Sequence, residues 1–253
     1  MMKRKTPLSL SFGILCALLI FAGCAQPDAA PEAANGAQAD PAHVLIVGGG
    51  SSHDFDRWFN EATVATLESA GVRASYTDVP EQVLPALAEA DILYLTNNQP
   101  LPDSALRAAI FNVAESGKGL MIGHAGAWYN WADWPEYNKT LVGGGTRSHR
   151  HYGEFTVTVV DTTHPVMEGV PSTFTLADEL YRFEQDPEGT PIKVLATAEE
   201  VETGEVYPIV WEVLHPGGRI VVNTLGHDEA AHTHPAYQKI LQNSARWVSG
   251  QSL

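Results

Sequence analysis

Strand-length apolar runs alternating with helix-length stretches constrain this 253-residue chain more than any other feature. His43–Val47, residues 91–96 and the Leu-Met-Ile run at 120–122 are continuous, without the alternation of a half-exposed strand. Strands of that kind are buried on both faces, as in parallel sheets covered by helices. Between them, residues 54–71 place Phe55, Trp58, Phe59, Ala62, Ala65 and Leu67 at helical spacing, with Gly71 as a stop. Residues 72–79 read as a second strand, 81–90 as a short helix, and 102–116 as a helix with proline near its start and Gly117 at its end. This order requires right-handed crossovers and predicts an α/β protein with a doubly wound, mostly parallel sheet.

The second half changes character. Residues 135–142 suggest a short helix ended by the Gly143-Gly-Gly145 turn, and residues 152–160 alternate as a β-strand. Residues 173–183, 192–198 and 207–213 predict an antiparallel extension. A core strand returns at 218–225, and Pro235–Val248 reads as a closing amphipathic helix.

The most informative stretch begins at Gly119 and ends at Trp131. A buried strand breaks at Gly123-His124-Ala125-Gly126 and runs into Trp128, Tyr129, Trp131 and Trp134. Open α/β sheets bind ligands outside the carboxyl ends of their strands, so a histidine there followed by aromatic residues marks a candidate site. The glycine run 48–50 lacks the GxGxxG spacing and the Walker lysine; it predicts a tight turn and no nucleotide.

Charge narrows the partners. The formal net charge is −15, and the first 24 residues hold three bases and no acid, which leaves −18 for the remainder. Nucleic-acid binding needs Lys and Arg on phosphates, so none is expected. A neutral or weakly charged substrate fits better. The two cysteines are Cys16 and Cys24, so the body beyond residue 24 has no thiol for a disulfide, a zinc thiolate or a nucleophile.

Residues 1–24 have a basic start, an apolar centre and the ending Leu19-Ile-Phe-Ala-Gly-Cys24. They resemble a bacterial lipoprotein signal, with Phe21 where such signals usually carry Leu. That resemblance implies lipid on Cys24, a cell-envelope location, and membrane contact through the lipid only. Residues 25–42, rich in Ala, Pro and acids, predict a disordered tether, leaving 43–250 as one domain.

Ten histidines are many beside 15 Lys and Arg. His53, His124 and His227 follow strands at one sheet edge, and His149 and His151 follow the Gly143–Gly145 turn. With a carboxylate such as Asp178 or Glu179, these imidazoles can hold a divalent metal such as zinc or act as acids and bases. The candidate metal ligands are His53, His124, His149 and His227. His43, His215, His232 and His234 read as structural or surface residues. Four aromatic residues in a polar loop suggest a face for stacking on sugar rings, with Trp128, Tyr129, Trp131, Asp178 and Asp228 as binding candidates.

Several motifs in sequence order resemble the ThuA-like (trehalose utilisation) family. They are Gly119-Leu-Met-Ile-Gly-His-Ala, Leu141-Val-Gly-Gly, His149, His164-Pro, Asp178-Glu-Leu-Tyr181, Pro208-Ile-Val-Trp211, Gly218-Arg, Leu225-Gly-His-Asp228 and Trp247. The resemblance implies a flavodoxin-like fold of the class I glutamine amidotransferase type and an association with sugar catabolism. Amidotransferases place a cysteine where this chain has His124, so cysteine-dependent glutamine hydrolysis is excluded on chemistry. The His149-Arg-His151 pattern replaces the family's usual His-Pro. The expected activity is proton abstraction or hydrolysis at a sugar carbon of a disaccharide, glycoside or keto-sugar, with His124 and His227 as acid and base and Glu179 beside them. The alternatives are a sugar-binding lipoprotein without chemistry, and a partner-binding lipoprotein with scattered histidines.

Overall fold

A computed structural model describes residues 41–250. The lipidation, signal and tether expectations for residues 1–40 therefore lie outside the described residues. Strand β1 (His43–Val47) leads through a glycine loop to a π-helical segment, Asp56–Ala62, which continues as α1 (Thr63–Glu68). β2 (Arg73–Thr77), α2 (Pro80–Leu87), β3 (Ile92–Leu95), α3 (Ser104–Glu115) and β4 (Gly119–Gly123) follow as the sequence predicts. The chain then forms α4 (Pro135–Tyr137), β5 (Gly144–His149), β6 (Gly153–Val159), β7 (Thr173–Asp178), β8 (Tyr181–Gln185), β9 (Ile192–Glu200) and β10 (Glu205–Val213). β11 (Ile220–Asn223), α5 (Glu229–His232) and α6 (Pro235–Val248) complete it.

Nine strands form one sheet in the order β2-β1-β3-β4-β11-β10-β9-β6-β7. The first five are mutually parallel, and every pairing from β11 outward to β7 is antiparallel. This is the mostly parallel α/β sheet with an antiparallel extension that the apolar runs predict. Successive strand residues face opposite sides. Ile46, Tyr94, Met121 and Val221 pack under Phe59, Leu67 and the α6 residues Tyr237, Ile240 and Leu241. Leu45, Leu93, Leu120 and Val222 pack on the other side under Val83, Leu106, Ile110 and Val113.

Three departures from the sequence expectations bear on the site. The Thr63 amide bonds back to the Trp58 carbonyl, a five-residue step that widens one turn of the first helix. The later face rotates accordingly, so Thr63, Thr66 and Leu67 are buried and Ala65 is exposed. Gly144 and Gly145 lie within β5 and not in a turn; a Cβ on Gly145 would fall 2.4 Å from the Tyr129 ring. Finally, residues 173–183, expected to join a single antiparallel extension, divide between two sheets. β7 belongs to the large sheet, whereas β8 pairs with β5 in a separate two-stranded sheet, and the chain turns the corner at Glu179 and Leu180. Buried Trp211 joins the two sheets: its ring lies 4.2 Å from that of Phe183, and its Nε1 donates to the Val142 carbonyl at 2.9 Å.

Candidate active site

β4 ends at Gly123, and His124 takes φ +40°, a left-handed conformation uncommon outside glycine, to enter the short turn His124–Ala127. The turn presses against β3: a Cβ on Gly126 would lie 2.5 Å from the Leu95 carbonyl oxygen. The oxygen belongs to the backbone and a Cβ is fixed rigidly to its own backbone, so neither can swing aside. Gly126→Ala is expected to lower stability by about 1–3 kcal/mol in urea unfolding, as overpacking does. A variant as stable as the wild type would show that the turn is not held this tightly.

His124 is fully buried, and its Nδ1 lies 2.7 Å from the Thr224 carbonyl oxygen. A carbonyl only accepts, so Nδ1 carries the proton and Nε2 keeps a free lone pair. His53 from the β1 loop and His227 from the β11 loop stand edge-on to it. Ring centroids are 4.7 Å apart for His53–His124, 4.9 Å for His53–His227 and 5.5 Å for His124–His227.

Glu179, placed by the corner between β7 and β8, reaches three histidines. Its carboxylate lies 3.3 Å from His227 Nδ1, 3.6 Å from His124 Nε2 and 3.6 Å from His149 Nε2. Asp178, one residue earlier, is buried and accepts hydrogen bonds from the amides of Glu179 (2.7 Å) and Gly226 (2.8 Å). It therefore ties the Glu179 corner to the loop bearing His227.

The electrostatics divide the group. Burial, followed by the neighbouring His227, pushes His53 down to about 4. Burial, followed by His53, holds His124 well below the usual imidazole range. The Glu179 carboxylate raises His227. Burial alone would raise Glu179, but His227, His149 and His53 outweigh it and hold the carboxyl below its ordinary value. The result is an ionised carboxylate among imidazoles, two of which stay neutral at pH 7.

His53, His149 and Glu179 line a cavity of about 270 Å³, with Ser52, Asn98, Trp128, Asn130 and Tyr181 among the other lining residues. That is slightly below the roughly 300 Å³ at which pockets for drug-sized ligands begin. A larger apolar groove of about 720 Å³ lies between the starts of α2 and α3, lined by Leu84 and Leu106 among others. Of its two acidic residues, Glu81 and Asp103, the second is occupied in capping α3, and no histidine lines the groove.

The structure brings together His53, His124, His149, His227, Glu179 and Trp128, as the sequence predicts. It does not bring the other binding candidates into the cavity wall. Trp131 is buried, its Nε1 donates to the Gln99 carbonyl, and its ring packs 4.5 Å from that of Tyr137. Tyr129 lies under the Arg147 guanidinium at 4.0 Å. Asp178 is spent on the two amides, and Asp228 caps α5 while accepting from Tyr152 Oη at 3.0 Å. His151 lines a separate polar cavity with Arg150, Arg182, Glu200 and Glu202.

Ser52, Asn98 and Tyr181 escaped assignment as site residues from sequence. Asn98 offered a signal, since it follows a parallel strand at the same edge. It fixes the His53 loop through two 2.8 Å hydrogen bonds with the Ser51 backbone.

A family model described as trehalose utilisation, ThuA, matches residues 43–248, nearly the whole described body. The chain belongs to the ThuA family. A ThuA-like protein from Parabacteroides merdae superposes with a TM-score of 0.71 at 22% identity, over 83% of this chain and 91% of that one. A ThuA-like protein from Bacteroides uniformis gives 0.69 at 22% identity, over 86% and 95%. The glutaminase domain of Trypanosoma brucei CTPS, with bound acivicin, gives 0.53 at 9% identity, over 84% and 95%. At these identities the likenesses establish a shared fold, including the glutamine amidotransferase-like architecture. No functionally curated protein matches the sequence. In this ThuA chain the elbow after β4 carries His124, and no cysteine lies among the described residues.

Proposed function

We propose that this ThuA protein is a carbohydrate-processing enzyme that takes one ring of a disaccharide, glycoside or keto-sugar into the histidine-lined cavity. Glu179 is the proton-transfer group. The observation that carries this reading is the Glu179 carboxylate on the cavity wall, with His227 Nδ1 at 3.3 Å and two further imidazoles at 3.6 Å. A carboxylate kept ionised at a pocket wall can accept a proton from a sugar carbon next to a carbonyl, or from an attacking water. His227, its neighbour, holds the Glu179 carboxylate in place at 3.3 Å. His124 is poorly suited to act as the acid, because its only proton is held by the Thr224 carbonyl.

The geometry favours catalysis over plain capture. Of the four loop aromatics only Trp128 lines the cavity, while Trp131 and Trp134 are core residues. Trp128 and the other lining aromatic, Tyr181, meet edge to face at 74° and share no flat stacking surface, whereas the polar groups converge. The test is turnover of trehalose, other disaccharides, aryl glycosides and keto-glycosides by the wild type and by Glu179→Gln. No turnover of any of them, with tight sugar binding retained, would favour a binding protein.

The N-terminal pattern supports a lipid anchor at Cys24 and a place in the cell envelope. Radiolabelled palmitate is expected to enter the wild type and not Cys24→Ser. Equal labelling of the two would remove the anchor from this reading.

A further inference from the structure

Three nitrogens share an unusual situation: His53 Nδ1, His124 Nε2 and His227 Nδ1 are buried and make no well-formed hydrogen bond to a protein group, although the Glu179 carboxylate stands 3.6 Å from the second and 3.3 Å from the third. Buried polar atoms are normally paired, and leaving one unpaired costs about 1–3 kcal/mol. Three such atoms on neighbouring side chains call for a shared partner. Each of the three histidines offers a ligand atom lying within 4.8 Å of the others.

We propose that His53, His124 and His227 form a divalent-cation site suited to zinc, with the Glu179 carboxylate beside it. Side-chain rotation closes the present spread to the separation that Zn–N bonds of about 2.0–2.1 Å demand. The donor set selects the ion: three imidazoles suit zinc and related transition metals, whereas magnesium and calcium require oxygen ligands. The Thr224 carbonyl does for His124 what a supporting residue does at metal centres. It holds the far nitrogen's proton at 2.7 Å and so presents Nε2 as a lone pair in a fixed orientation. The left-handed backbone at His124 delivers that ring to the site. Three protein ligands leave coordination positions for a water or a sugar oxygen, which is the pattern of catalytic zinc centres. A bound cation would supply Lewis-acid polarisation of a substrate oxygen, next to the carboxylate that handles the proton.

This inference deepens the proposed function but is tested without it. The full-length chain, stripped with chelator and dialysed, is titrated with zinc chloride by calorimetry. A second titration with cobalt chloride is followed by visible absorption. One equivalent of zinc and a tetrahedral cobalt band are expected for the wild type and for His151→Ala. Both signals should weaken more than about 100-fold in His53→Ala and His227→Ala, since loss of a ligand exceeds the 10–100-fold typical of supporting residues. His53 and His227 are partly exposed, so these variants keep the proposal testable if a substitution at fully buried His124 fails to fold. No binding by the wild type, or unchanged binding by both variants, would overturn the site. Glu179-dependent turnover by a protein that binds no zinc would remove the metal alone. Zinc binding with no turnover of any glycoside would remove the enzyme reading and leave the site.

Discussion

Glu179→Gln is expected to reduce turnover by about 10³-fold, while sugar affinity stays within a few-fold of the wild type. The amide has nearly the same shape as the carboxylate and still reaches the cavity, but it cannot take a proton. Its charge is what raises His227, so that imidazole should return toward its ordinary range in the variant. NMR titration of the His227 ring in the chelator-stripped protein reads that shift directly and separates loss of the charge from a general disturbance of the site. Glu179→Asp offers a graded control, because it keeps the charge and withdraws it by one methylene. It should recover part of the turnover and part of the His227 shift. Affinity lost in proportion to turnover would make Glu179 a recognition group. Turnover unchanged in Glu179→Gln would remove it from the chemistry.

Much of this site was legible in the sequence, for a reason specific to parallel sheets. Buried strands are continuous apolar runs, and the residues that follow them must gather at one edge. His53, His124 and His227 are predictable from chain order alone, because β1, β4 and β11 are apolar runs that each lead into a histidine-bearing loop. Glu179 was not predictable in that way. Its neighbourhood, Thr-Phe-Thr-Leu-Ala-Asp followed by Glu-Leu-Tyr-Arg-Phe, keeps a strand-like composition throughout, and only the presence of two sheets makes a corner there. It entered only as one of two adjacent carboxylates, Asp178 or Glu179, between which periodicity could not choose.

The aromatic loop misled for a related reason. Whether Trp131 stacks on a ligand or packs on Tyr137 depends on how α4 returns to the sheet, which no local pattern encodes. The widened turn at Trp58–Thr63 likewise rests on a backbone step that helical spacing cannot show.

Asp178→Ala should be among the most destabilising single substitutions at this edge, lowering stability by about 3–5 kcal/mol. The removed carboxylate would leave the Glu179 and Gly226 amides buried without acceptors. Each unsatisfied donor costs about 1–3 kcal/mol, so the two together account for most of the expected loss. Gly226 sits at φ +128° in the loop just before His227, so its released amide frees a segment that is already conformationally permissive. The same change loosens the backbone of Glu179, and the two groups 3.3 Å apart across the site lose their common strut. Turnover should therefore fall with stability, although Asp178 lines no part of the cavity. Asp178→Asn retains one carbonyl acceptor but turns an NH2 toward the second amide, so an intermediate loss is expected. Urea unfolding followed by circular dichroism gives the comparison. Glu179→Gln provides the contrast, with activity lost and the unfolding midpoint nearly unchanged. An Asp178→Ala protein within about 0.5 kcal/mol of the wild type would be no more perturbed than an ordinary surface variant. The strut would then be redundant, and the placement of Glu179 would rest on the β7–β8 corner by itself.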